Sequence, residues 1–141
     1  KRLGVGCHRG SEDDVLKRVL DAAYSHNVDI IVETTGDCPL IDPALVEHCI
    51  QGYLGADVDY VSNVIERTYP IGMDTQVFAT DTLADVAART DDPDDREHVS
   101  LYIYRHPELY RLLNLPGPPE LARADLAFWC ELDSKSITHN Q

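Results

Sequence analysis

The order of apolar and polar positions along the chain changes period several times, and each change marks an element. Val15, Leu16, Val19, Leu20 and Ala23 recur at helical spacing and form one apolar stripe. Ser11 is the expected N-cap, with an acid three residues later, close to a capping box. The stripe fades near Asn27, and residues 28–32 read as a buried strand. Residues 3–7 read as the end of an earlier short strand and Gly10 as its turn, which makes a β-α-β unit and implies a parallel sheet.

A second helix follows after Thr35-Gly36-Asp37-Cys38-Pro39-Leu40-Ile41-Asp42-Pro43. Asp42 caps it and Pro43 occupies its first turn, where a missing N–H costs nothing. Leu45, Val46, Cys49, Ile50, Tyr53 and Leu54 line one face, and Gly55 ends the helix. Further strands are expected at residues 59–63, 74–78, 111–115 and 127–133. Thr80 or Asp81 is expected to cap a helix through Leu83, Val86 and Ala87. The polar run Asp91-Asp92-Pro93-Asp94-Asp95 interrupts that helix and caps another beginning near Arg96. The fold class is α/β, a Rossmann-like, mainly parallel sheet with flanking helices, in a single domain over residues 1–141.

Composition narrows the function. The 141 residues are 43% hydrophobic and 26% charged, as in an ordinary globular protein. No apolar run approaches the roughly 18 residues of a membrane span. Twelve basic against 25 acidic residues give a net charge of −13, which argues against nucleic acid as the partner. A phosphorylated small substrate stays open, because a divalent cation can join carboxylates to phosphate oxygens. The four cysteines, Cys7, Cys38, Cys49 and Cys130, contain no C-x-x-C pair, which fits a reducing cytoplasm.

Asp37 is the first candidate for chemistry. It follows an apolar strand, and ligands of open α/β sheets bind beyond the carboxyl ends of the strands. A turn aspartate bonding its own backbone is the plainer alternative. The stretch from Thr35 to Pro43, together with Gly10-Ser11-Glu12-Asp13-Asp14-Val15-Leu16, resembles the cytidylyltransferases that activate acidic sugars. The branch it is most similar to is that of spore coat polysaccharide biosynthesis. Asp59-Tyr60-Val61-Ser62-Asn63, the loop Arg67-Thr68-Tyr69-Pro70-Ile71-Gly72-Met73-Asp74, and Asp95-Arg96-Glu97-His98-Val99 match the same branch in order. The resemblance covers residues from about 4 to 134.

The resemblance implies CTP and a small sugar as substrates, Mg²⁺ as cofactor, a CMP-sugar and pyrophosphate as products, and a homodimer as an allowed assembly. It implies Asp37 as a catalytic metal ligand, with Asp133 as the second. For Asp133 the alternative is a helix N-cap. Magnesium takes one or two carboxylates plus phosphate oxygens and neutralises the charge of a departing pyrophosphate. Arg67, Tyr69, Gly72, Asp74 and Gln76 are implied on the sugar side, Arg67 because a guanidinium bonds both oxygens of a carboxylate. Arg96 and His98 complete the candidates. Two positions apart on a helix they face different ways, so one is expected to reach the pocket and the other to brace a neighbour.

Two positions depart from the family pattern. Glu33 stands where Arg is frequent and Gln76 where an acid is common. The family's upstream Gly- and Arg-containing CTP loop has no counterpart in residues 1–10, so the chain reads as a C-terminal portion, inactive alone. Two other readings are a metal-dependent glycosyltransferase, for which Asp57-Val58-Asp59 supplies a D-x-D triplet, and a non-catalytic domain.

Overall fold

A computed structural model of the protein describes residues 3–128. Four strands form one open sheet in the order β1-β3-β2-β4: β1 Ile30–Glu33, β2 Tyr60–Ser62, β3 Gln76–Ala79 and β4 Leu112–Asn114. The helices are α1 Val15–Ser25, α2 Pro43–Gly55, α3 Thr80–Arg89, α4 Pro93–Glu97 and α5 Leu101–Arg105. Strands β1, β2 and β4 share one direction, and β3 runs against its neighbours β1 and β2. Residues 63–75, which join β2 to β3, hold no helix, and without a helical crossover the chain returns antiparallel.

Side-chain alternation sorts the sheet into two faces. Ile31, Phe78, Tyr60 and Leu112 lie opposite one another across the four strands and pack with α1, α3 and α5. Leu16, Leu20, Leu83, Val86, Val99 and Ile103 complete that core. Val77 and Val61 face the other way and pack with Leu45 and Cys49 of α2 and with Tyr69. Burial of this kind contributes about 1.5–3 kcal/mol per large apolar side chain and is the main force holding the layers together.

The second helix forms as its sequence directs, with the Ala44 amide donating to Asp42 Oδ1 at 2.8 Å and Pro43 opening the first turn. Other expectations need correction. Residues 3–7 form no strand; Leu3 and Val5 are 84% and 69% exposed, so no packing holds them extended. Asp14, not Ser11, caps α1 by accepting from the Lys17 amide, while the Ser11 hydroxyl accepts from the Asp14 amide. No side chain caps α3, because the Thr80 hydroxyl donates instead to the Val28 carbonyl. Helix α4 starts at Pro93 with Asp92 as cap, which puts Arg96 in its last turn and His98 at its C-cap. The expected strand at 127–133 shows only its first part, Ala127 bridging in parallel to Ile71. Its remainder, Cys130 and Asp133 lie outside the described residues. Cys38 and Cys49 are buried and Cys7 is exposed, all three as free thiols.

Candidate functional site

The last residue of each forward strand, and the first of β3, is polar. In register these residues form one row across the sheet, Glu33–Gln76–Ser62–Asn114. The row continues the face of Ile31–Phe78–Tyr60–Leu112 by one pleat, so polar groups sit where the core ends. The loops after β1 and β2, which carry Asp37 and residues 67–74, leave from this carboxyl edge. Half of the row is spent on structure. The Ser62 hydroxyl donates to the Thr75 carbonyl at 3.1 Å and accepts from the Val64 amide at 3.2 Å. Asn114 Oδ1 accepts from the Glu66 amide at 3.1 Å. Asn63, fully buried beside the row, donates to the Met73 carbonyl and accepts from the Thr75 amide, tying both ends of the 63–75 loop.

The other half is open. Glu33 Oε2 and Gln76 Oε1 are shut off from solvent and have no hydrogen-bond partner among the described residues. Burial pushes the Glu33 carboxyl up to about 7, only partly offset by the nearby Ser100 hydroxyl. Both residues line a cavity of about 580 Å³ with Thr35, His98, Ser100 and Tyr104. The far wall is held by an unusual backbone: Val99, a β-branched residue, sits at φ 39° between His98 and Ser100. That conformation is rare for such a side chain, and strain of this sort clusters where a neighbouring group must be aimed. Ser100 Oγ on this wall lies 3.3 Å from the buried Tyr60 hydroxyl.

Asp37 lies in the turn that follows β1. The Thr35 hydroxyl foremost, then its own backbone amide, as in the plainer turn reading, and the Cys38 thiol hold its carboxyl below the usual carboxylate range. Thr35 Oγ1 and Cys38 Sγ are 2.9 Å apart, and Cys38 Sγ donates to Asp37 Oδ1 at 3.6 Å. An ionised, half-exposed carboxylate at a strand end suits a hard cation, which needs only one or two such ligands when phosphate oxygens supply the rest. Among the described residues no group of three or more His, Cys, Asp or Glu side chains gathers in a metal-holding arrangement. Asp37 could supply one such carboxylate.

The remaining candidates separate. Arg67 and Asp74 face each other across the loop in a two-pronged ion pair, Nη1–Oδ1 2.8 Å and Nη2–Oδ2 2.9 Å. The Arg67 fork expected to meet a sugar carboxylate is therefore occupied by Asp74. This pair sits close enough to the Asp37 turn for the Asp74 charge to help raise the Cys38 thiol, after burial as the larger cause. Gly72 takes φ 95°, a turn that favours glycine. Tyr69 is buried in the α2-side core, and a Cβ on Gly117 would come within 3.2 Å of its ring. Arg96 donates to the Ala87 carbonyl at 3.0 Å and pairs with Asp91 and Asp14, bracing α4 against α3 and α1. His98 faces the cavity. The structure thus brings Asp37, Arg67, Asp74, Gln76 and His98 to the carboxyl edge and leaves Arg96 and Tyr69 in the scaffold.

The D-x-D acids lie at the opposite edge. The Arg111 amide and Nε donate to Asp59 Oδ2 at 2.8 and 3.0 Å, Nη2 donates to Oδ1 at 2.9 Å, and Nη1 pairs with Asp57. They pin β4 beside β2.

A carboxyl-edge site on such a sheet is shared by many nucleotide-using folds, and comparison with known proteins decides between them. The family described as Cytidylyltransferase matches residues 1–134. The chain belongs to the cytidylyltransferase family. A spore coat polysaccharide biosynthesis protein of Bacillus subtilis is 35% identical over 121 residues, covering 83% of this chain and 48% of the relative. An uncharacterized protein of Methanocaldococcus jannaschii is 37% identical over 121 residues, covering 86% of this chain and 49% of its own length. The solved structure of a cytidylyltransferase from Leptospira borgpetersenii superposes with TM-score 0.87 at 31% identity, over 93% of this chain and 55% of that one. The fold is accordingly the Rossmann-like nucleotidyltransferase fold. The chain spans about half the length of the curated relatives it matches.

Thr35, Ser100 and Tyr104 also line the cavity and are not evident as site residues in the sequence. The polar residues of the row, Glu33, Ser62, Gln76 and Asn114, are visible at or beside the expected strands. Which of those residues lie opposite one another depends on register.

Proposed function

We propose that the protein serves Mg²⁺-dependent nucleotidyl transfer from CTP to an acidic or amino sugar, giving a CMP-sugar and pyrophosphate for surface polysaccharide synthesis. The observation that carries this reading is the convergence, at one carboxyl edge, of the Asp37 turn with the Glu33–Gln76 cavity, on the fold of this family. A sugar hydroxyl forms the new bond to the α-phosphorus of CTP, the bond to the β-phosphate bridging oxygen breaks, and the hydroxyl proton passes to solvent. Bound magnesium would neutralise charge on the triphosphate, and Asp37 is the described residue that would hold it. Asp133 is proposed as the second ligand.

The other residues hold and orient. Asn63 and the Arg67–Asp74 pair fix the loop over the edge, and Ser100, Tyr104 and His98 form the wall that a sugar would meet. Such fixed groups supply positioning and preset electrostatics, the main means by which phosphoryl chemistry is catalysed. The free thiols support a cytoplasmic location. No helix among the described residues is long and apolar enough to cross a membrane. Pyrophosphate release by the full-length protein, from CTP and Mg²⁺ with a panel of acidic and amino sugars, tests the reading. Sugar-dependent release is expected; transfer from a nucleotide sugar without pyrophosphate would mark a glycosyltransferase instead.

A further inference from the structure

We propose that the cavity between the β1 and β3 ends and the α4–α5 connection receives a protonated amine of the substrate, held between Glu33 Oε2 and Gln76 Oε1. The proposal rests on the nucleotidyl-transfer reading for its substrate and specifies that substrate's class as an amino sugar. Three observations support it. First, both oxygens are buried acceptors without a donor, and burying such groups unpaired is costly enough that native proteins rarely leave them so. Second, they belong to residues directly opposite each other on adjacent strands, so one small group can reach both. Third, the two residues line a cavity of about 580 Å³, large enough for a sugar ring.

The rest of the lining selects the ligand's charge. Asp94 and Glu97 add two more acids. Arg105 also lies on the wall, but its Nη1 is turned to Asp95 Oδ1 at 3.7 Å, and no ion pair joins it to Glu33 among the described residues. A carboxylate or phosphate placed here would meet the ionised form of Glu33 and the Asp94 and Glu97 acids, against the one guanidinium of Arg105, which already leans toward Asp95. A neutral hydroxyl has one hydrogen to give and leaves the second acceptor unpaired. An ammonium brings three donors and no acceptor, which matches two orphan oxygens with the Ser100 or Tyr104 hydroxyl as the third.

Binding is read by NMR titration of the chain, in the absence of CTP, with glucosamine, N-acetylglucosamine and glucuronic acid as probes. Glucosamine is expected to bind at least ~10-fold more tightly than either other sugar, the scale of a charge-assisted hydrogen bond. Glu33→Gln is expected to abolish that preference while keeping the fold, checked by thermal melting, and Glu33→Arg to turn it toward glucuronic acid. The proposal is overturned if glucuronic acid binds the wild type as tightly as glucosamine, if the preference survives in Glu33→Gln, or if no probe binds. Because sugar binding is read without turnover and pyrophosphate release is a separate assay, the two readings fail separately. An intact amine preference without pyrophosphate release removes only the transferase reading. Release that depends on an acidic sugar and ignores Glu33→Gln removes only the amine site.

Discussion

The two edges of the sheet treat polar groups in opposite ways. At the amino edge every named acceptor is matched: Asp57 and Asp59 close on Arg111, and the Thr80 hydroxyl and amide serve the Val28 and Asp29 carbonyls. At the carboxyl edge Glu33 and Gln76 keep buried oxygens unpaired, Val99 is held in the left-handed region, and the Asp37 carboxylate sits half-exposed. Folding alone favours the first arrangement. An edge that gives up stability this way is the edge where a ligand supplies the missing partners.

The contrast can be broken or sharpened by substitution. The largest effect is expected from Asp37→Asn, which removes the negative charge at the strand end with little change of shape. Sugar-dependent pyrophosphate release should fall about 100-fold or more, by analogy with the loss of other electrostatic groups in catalysis, while the melting temperature stays within a few degrees. Asp59→Asn at the opposite edge should leave the chemical step untouched, and equal losses from the two substitutions would remove the distinction.

Next is Glu33→Gln. The folded carboxyl titrates near 7 instead of 4.5, so between those values the native state binds more protons than the unfolded chain. Stability therefore falls as pH rises through that window and the loss is complete above about 7. The amide does not titrate. Glu33→Gln should match the wild type below pH 4.5 and exceed it at pH 8 by roughly 3 kcal/mol, read from urea midpoints. An excess that is the same at both pH values would mean that Glu33 is not the titrating group.

Asn63→Ala should cost about 2 kcal/mol, because it orphans the Met73 carbonyl and the Thr75 amide together. It should also weaken sugar binding, since the loop carrying Arg67 and Asp74 loses its tie. The smallest effect belongs to Thr80→Val, about 1 kcal/mol for one buried hydroxyl donor, with no change in turnover. Chemical denaturation separates these two.

Local features of the fold were legible in the sequence. The Asp42–Pro43 helix start, the apolar stripe of α1 and the Thr35-Gly36-Asp37 turn each rest on neighbouring residues, and each appears as expected. Features set by long-range contact were not. The supposed strand at 3–7 has β-like composition but no packing. Thr80 looks like a cap and instead bonds a carbonyl 52 positions away. Arg67 reads as a free anion receptor until the loop folds Asp74 onto it. Glu33 and Gln76 stand out separately as departures from the family pattern. Only the β1–β3 register shows that they are one feature.

That feature can be measured directly. A pH titration of the Glu33 side-chain carboxyl by carbon-13 NMR, in the free protein, should give a midpoint near 7. A midpoint at the ordinary 4.5 would show the carboxyl solvated or already paired, and would contradict a carboxyl edge left unsatisfied for a ligand.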